Sequence, residues 1–223
     1  MAKHQAANKE IGWQAQKSAM TRQRILNAAI DCFINEGYNR MTTAKVASNA
    51  GVSRGAMLHH FPSKTELIQA TVEYLHKQLI EDFSSRVSQI PGDLAGSDRH
   101  RAGLAAYWEH LTGDLFIAYH ELCVAGRTDE ELGDILKNSQ RSFERHVAES
   151  NGELFSDWNE RGELFLLAMD LTKFLMEGMA LGQLTSNRDK RIERMIGYLG
   201  DRLEEIFESG DDTAVQRHSS GPD

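Results

Sequence analysis

Hydrophobic positions recur at helical spacing along most of the chain. Ile25, Ala28, Ala29, Cys32 and Phe33 form the first stripe, and Gly37 stops it. Thr42 can cap a short helix through Val46 and Ala47, which Gly51 breaks. Ser53 can cap another, from Arg54 to about Phe61, closed by Pro62. Ser63 to Glu66 fits a capping box, in which each side chain satisfies a free backbone amide. It opens a long helix carrying Leu67, Ile68, Val72, Leu75, Leu79 and Phe83, which ends before Pro91 and Gly92. Helical patterns resume at about 99–111 and 115–125, and a second box at Thr128–Glu131 opens the next helix. A looser stretch near 151–159 follows, then two long helices at about 162–184 and 188–208. No stretch reads as a strand. The pattern predicts an all-α chain of about nine helices, with a flexible arm over 1–20 and a flexible tail over 210–223.

Composition narrows the class. The chain has 223 residues, 40% apolar and 26% charged, which reads as soluble and globular. Its longest apolar run, residues 164–169, is far short of the roughly 20 residues that span a bilayer, so no membrane partner is expected. No apolar signal region stands at the N-terminus, and Cys32 and Cys123 cannot form a disulfide framework. A cytoplasmic setting is the expectation. The net charge of −8 hides an asymmetry. Residues 1–64 hold nine Lys/Arg against three Asp/Glu, and residues 65–223 hold sixteen against thirty. A basic head on an acidic body suggests that only the head meets a polyanion.

The chemistry of that head lies in residues 42–61. Two short helices joined at Ala50-Gly51-Val52-Ser53 read as a helix-turn-helix, whose second helix enters the major groove of DNA. Arg54, at the start of that helix, suits guanine O6 and N7. Gly55 and Ala56 are small and permit close approach. Thr42, Thr43 and Ser53 offer hydroxyls and helix-start amides to phosphates, and Lys45, His59, His60 and Lys64 add charge or donors.

From about Arg24 to Ile68 the sequence resembles the TetR family of bacterial transcriptional regulators. The residues that carry the likeness are Ile25–Glu36, Thr42–Ala47, Ala50–Ala56 and His59–Lys64, leading to Leu67. Glu121–Leu132, with Val124–Asp129 within it, resembles a stretch common in one branch of the family. The resemblance implies phosphate contacts at Thr42, Thr43, Ser53, His59, His60 and Lys64, and base reading at Arg54, Gly55 and Ala56. Leu58 stands where the family usually has Tyr; it cannot donate a hydrogen bond, though it can touch a thymine methyl. The domains expected are a DNA-binding head over 21–66 and a ligand-binding and dimerisation body over 67–209.

In the body, Met169, Met176, Met179, Gly178 and Gly182 on one long helix, with Ile192, Met195, Leu199 and Leu203 on the next, form apolar faces. Ordinary core within the chain explains such faces; the resemblance implies instead a two-fold homodimer interface. Tyr107, Trp108, His110, Phe116, His120, Cys123, Phe143, His146, Trp158 and Phe174 suit either packed core or a pocket for a small, mainly apolar effector. The resemblance implies that such a ligand changes the spacing of the two heads. His120 and Cys123 have metal-ligand spacing, but no third ligand is evident, so neither metal nor cofactor is expected, and Cys123 reads as buried packing. Cys32 reads as a buried, inert thiol.

The function expected is therefore a repressor that binds a palindromic operator as a dimer and is released by its ligand. An enzyme is the second possibility. No nucleophile elbow, phosphate-binding Gly-rich loop, zinc-helix His pair or dinucleotide fingerprint supports it. A non-specific architectural binder would want basic charge spread widely, and here it is confined to the head.

Overall fold

The structure is a computed structural model that describes residues 2–154, 162–185 and 189–209. Trp158 and the expected tail, 210–223, lie outside the described residues. Nine α-helices are present among them: α1 (Ala2–Glu36), α2 (Thr43–Asn49), α3 (Arg54–His60), α4 (Lys64–Ser88), α5 (Gly96–Leu111), α6 (Asp114–Gly126), α7 (Glu130–Leu154), α8 (Glu163–Gln183) and α9 (Asp189–Ser209). A 3-10 turn, Tyr38–Arg40, follows α1. No strand occurs among the described residues, and the chain is all-α as expected.

One correction concerns the first helix. α1 begins at Ala2 rather than near Thr21, so the segment expected as an arm is helical backbone. Residues 2–20 are rich in Ala, Gln and Lys, all strong helix formers, and only Gly12 interrupts them. Missing apolar periodicity there signals the lack of a core partner, not the lack of a helix.

The chain divides into two compact units, Met1–Gln78 with Ala118–Arg141, and Leu79–Ile117 with Ser142–Asp223. The first unit takes in more than the expected head, because the first turns of α4 and the corner between α6 and α7 group with it. Its core is Ile25, Ala29, Phe33, Met41, Val46, Met57, Leu67, Ile68 and Leu132, each at most 2% exposed. Gly126 and Gly133 sit close at the α6–α7 corner: a β-carbon on Gly133 would meet the Gly126 carbonyl oxygen at 2.7 Å.

In the second unit α5, α8 and α9 pack together. Met176 of α8 and Ile192, Leu199 and Leu203 of α9 are buried there. Gly200 lets α9 approach Leu104 of α5, and Arg101 is paired with Asp201 at 2.5 Å. Four residues predicted at a dimer surface are therefore core within the chain. The stripe was real, but it faces α5 and its neighbour helix.

Candidate nucleic-acid interface

Three local signals build the head. Thr42 caps α2, its hydroxyl oxygen accepting from the Lys45 amide at 3.3 Å, and Ser53 caps α3 through the Ala56 amide at 3.1 Å. Each hydroxyl proton stays available to donate to a phosphate. Between the helices Gly51 takes φ +62°, the left-handed region that glycine enters without strain. The Val52 amide then bonds the Ala47 carbonyl at 3.0 Å, and the Gly51 amide bonds that of Ser48 at 3.1 Å. This double closure of α2 sets the angle at which α3 departs.

α3 buries Met57 beneath it and leaves Arg54, Gly55, Leu58 and His59 exposed, with Ala56 and His60 half-buried. Arg54 and Leu58 are one turn apart and share a face. Thr42, Lys45, Ser53 and Lys64 are exposed around it, and Thr43 is half-buried. One unit thus brings together all the residues predicted to meet DNA. Lys45 is paired with Glu36. His60 lies edge-on to His59, with ring centroids 5.4 Å apart. Burial, then the neighbouring His59 and Arg22, push its pKa below the usual histidine value. Of the two roles the sequence offers His60, charge or donor, this shift favours the neutral donor or acceptor.

Support for the head comes from residues the sequence did not single out. The Tyr38 amide donates to Glu121 Oε1 at 3.1 Å, and its hydroxyl donates to Asp129 Oδ2 at 2.9 Å. Gly37, at φ +78°, has no room for a side chain, because a β-carbon would run into the Glu121 carboxylate. Lys64 Nζ stands 5.5 Å from the Tyr38 ring centroid, and Thr65 donates to Glu131 at 2.5 Å. Burial and the bond to Asp129 raise the Tyr38 hydroxyl well above its ordinary pKa. The Leu132 amide, then Tyr38, hold Asp129 below the usual carboxylate range. The first capping box forms by half, the Ser63 hydroxyl oxygen accepting from the Glu66 amide at 3.1 Å as expected, and the second shifts by one residue. Glu66 accepts from the Ser63 hydroxyl rather than from a backbone amide. Asp129, not Thr128, caps α7 through the Leu132 amide at 3.1 Å, while Thr128 bonds back to the Ala125 carbonyl. A carboxylate has lone pairs enough to cap a helix and hold Tyr38 together.

A profile of the family described as "Bacterial regulatory proteins, tetR family" matches residues 25–71, the stretch that forms this head. That stretch is similar to the DNA-binding part of this family. An uncharacterized HTH-type transcriptional regulator of Mycobacterium tuberculosis is 29% identical over 168 residues, 75% of this chain and 85% of the relative. The HTH-type transcriptional regulator CymR of Pseudomonas putida is 33% identical over 133 residues, 60% of this chain and 63% of CymR. The solved structure of a putative TetR-family regulator from Mesorhizobium loti matches with a TM-score of 0.63 and 20% identity, covering 86% of this chain and 96% of that one. That likeness shows the fold. The curated relatives are named HTH-type transcriptional regulators.

The residues predicted to line a ligand pocket fare differently. His110 and Phe116 are buried, and Tyr107 and Trp108 are half-buried. Phe83 lies edge-on to Tyr107 at 5.4 Å and tilted against His110 at 5.6 Å. His110 Nδ1 is 2.8 Å from Asp82 Oδ2, and Tyr107 bonds Glu177. Burial lowers the His110 pKa despite the Asp82 bond, and burial raises that of Glu177. His120 and Phe143 are half-buried, each within its own unit. His146 is exposed and bonds its own helix at Ser142. Cys123, expected buried, is exposed, because its neighbour Leu122 takes the inward position on α6. Phe174 is 68% exposed, on the outer side of α8. Burial raises the Cys32 thiol, which is enclosed as expected. Among the described residues no three His, Cys, Asp or Glu gather as a metal site. No helix among them is long and apolar enough to cross a membrane.

Along α8, Leu166, Leu167, Leu171 and Phe174 are exposed, and so are Met195 and Tyr198 of α9. A β-carbon on exposed Gly178 would meet nothing within 4 Å. Met169, Met179 and Gly182 are half-buried.

Proposed function

We propose that the chain is a repressor that binds a palindromic operator as a homodimer and lets go when a small, mainly apolar effector binds. The observation that carries the reading is the exposed face of α3. Arg54 and Leu58 point outward from a buried Met57, within a ring of hydroxyls and cations suited to phosphate. Arg54 would read a guanine bidentately, and Leu58 would pack on a thymine methyl. One seven-residue helix reads few base pairs, so a specific site needs two heads related by a two-fold. The apolar ridge of α8 and α9 is the surface for that pairing, with Leu171, Phe174 and Gly178 at its centre. For the effector, Phe83, Tyr107, His110 and Phe116 provide aromatic surroundings, and His110–Asp82 and Tyr107–Glu177 provide a few oriented polar groups. The chain would act in the bacterial cytoplasm, where its DNA is.

The test is selection of bound duplexes from random DNA, read by sequencing. An inverted repeat is expected, bound by two chains. Failure to enrich any sequence overturns sequence-specific reading and favours a general nucleic-acid binder. A head of this kind is not confined to proteins named as regulators: the nucleoid occlusion factor SlmA of Vibrio cholerae is 37% identical over 75 residues, 36% of its own length. Titrating apolar small molecules into the operator complex tests release. An effector that frees DNA must itself bind more weakly when operator is present, by the same factor.

A further inference from the structure

One cluster in the second unit joins a carboxylate to a row of aromatic rings. Phe83 of α4, Tyr107 and His110 of α5 and Phe116 of α6 belong to that unit, and so does Glu177 of α8. The rings follow one another. Phe83 is edge-on to Tyr107 at 5.4 Å, Tyr107 stacks on His110 at 6.1 Å with the planes 17° apart, and His110 is tilted against Phe116 at 5.9 Å. The Tyr107 hydroxyl donates to the Glu177 carboxylate, which ties the acid to the rings. Phe83, Tyr107 and Glu177 are half-buried and Phe116 is buried, so the acidic end of the row is the end that solvent reaches.

Charge then selects among ligands. The face of an aromatic ring is electron-rich, and a carboxylate adds a full negative charge. Arg86, the cation nearest His110, is bonded to Asp82 at 2.9 Å and to Glu109 at 3.0 Å. Lys173, one turn from Glu177 on α8, stands 5.8 Å from the ring centroid of exposed Phe174. His110 Nδ1 is 2.8 Å from Asp82 Oδ2, and burial holds its pKa below the usual histidine value, so at neutral pH it is an uncharged ring. Burial raises the Glu177 carboxyl above its ordinary pKa by more than Lys173 and the Tyr107 bond lower it. A half-buried anion whose desolvation is not fully offset gains from a further positive partner. An anionic ligand would instead find Asp82 and Glu177 of its own sign.

We propose that this cluster binds an organic cation, a bulky or aromatic amine whose apolar body packs on Phe83, Tyr107 and Phe116 and whose positive nitrogen pairs with Glu177. The inference rests on the reading of this region as the effector site, and it narrows the effector from mainly apolar to apolar with a positive charge. The ring faces attract the cation, and the carboxylate has lone pairs for both the Tyr107 hydroxyl and the ligand.

The experiment titrates the full chain, without DNA, with three probes of similar size followed by calorimetry: phenyltrimethylammonium, its neutral isostere tert-butylbenzene, and benzenesulfonate. The cation should bind about tenfold more tightly than the neutral probe, and the sulfonate most weakly. Glu177→Gln keeps the side-chain shape and removes the charge. It should weaken the cation by about tenfold and change the neutral probe by less than about twofold. A misfolded variant would lose both probes alike, so the difference between them reads the charge alone. Phe83→Leu keeps apolar bulk and removes a ring face; it should weaken the cation by about threefold to fivefold and the neutral probe less. Equal affinity for the cation and its isostere overturns the proposal and leaves the site apolar. An equal loss of both probes in Glu177→Gln makes Glu177 a structural partner of Tyr107 and also overturns it. No binding by any probe makes the rings ordinary core and overturns it too. Release of operator is measured separately on the DNA complex. A cation that binds as expected but leaves the operator bound keeps this site and removes its role as effector.

Discussion

α3 and α8 both turn side chains outward that their own unit does not cover, and the two surfaces are opposites. α3 is seven residues long, buries Met57, and shows solvent Arg54, Gly55 and Leu58 among hydroxyls and cations. α8 is 21 residues long, buries Leu164, Ala168, Thr172, Met176 and Ala180, and shows Leu166, Leu167, Leu171 and Phe174. A charged surface gains affinity by releasing counterions and weakens with salt. An apolar ridge gains by shedding water and is nearly indifferent to salt. The contrast predicts a regulator whose DNA affinity and subunit association respond to different conditions.

The largest effect should come from placing charge on the ridge. Leu171→Asp with Phe174→Asp puts two carboxylates where a partner would bury apolar surface. Self-association should weaken by at least 100-fold, about 3 kcal/mol, read by sedimentation. Both positions are exposed, so thermal stability of the single chain should hardly move. Met176→Ala is the counterpart: it is fully buried, and should cost about 2–5 kcal/mol of stability. A double-aspartate chain that stays dimeric would break the comparison.

Next comes Arg54→Ala, which should cost about 1–3 kcal/mol of operator affinity and relax base preference. The dimer should persist. An equal loss on every sequence would make Arg54 a phosphate contact and leave the reading of bases to Leu58 and the backbone.

How much of this was legible differs between the same two regions. The head could be read because its signals are local: Thr42, Ser53 and Gly51 each act within four residues of chain. The α8 and α9 stripes were found, but their direction was not. Met176 and Leu199 look as apolar as Leu171 and Phe174 in sequence, and which faces α5 depends on packing between distant segments. Tyr38, Glu121 and Asp129 escaped for the same reason. Their bonds join residues more than 80 apart, and nothing near Tyr38 in sequence announces them. α1 misled in the other direction, since helix propensity without a core stripe reads as an arm.

Acid should separate the regions again. His76 is 6% exposed, in the unit that holds the head, and burial lowers its pKa to about 4. Unfolded histidine takes up its proton near 6.5, the folded one only near 4. Between those values the unfolded chain binds more protons, so stability falls as pH drops. At pH 5 His76 should cost about 2 kcal/mol relative to pH 8. Urea unfolding across that range checks it, and His76→Leu should flatten the slope by that amount. Leu171 and Phe174 carry no titrating group, so ridge association should follow pH far less. An unchanged slope in His76→Leu would remove the buried imidazole as its cause.

The smallest effect is the most diagnostic of how the head is held. Tyr38→Phe deletes one hydroxyl and keeps the ring beneath Lys64. Asp129 retains the Leu132 amide, so α7 keeps its cap. The lost bond should cost about 1 kcal/mol of stability. If it only stabilises the fold, operator affinity of the folded protein will not change. If it sets the pose of the turn that leads into Thr42 and α2, affinity should fall by about threefold to fivefold with dimerisation intact. Asp129→Asn should reproduce that loss only in part, because an amide oxygen still accepts from Tyr38. Adding Asp129→Asn to Tyr38→Phe should then weaken binding little further, since the bond they share is already gone. Independent, additive losses would mean that Tyr38 and Asp129 act on the head separately, with no single bond fastening the turn.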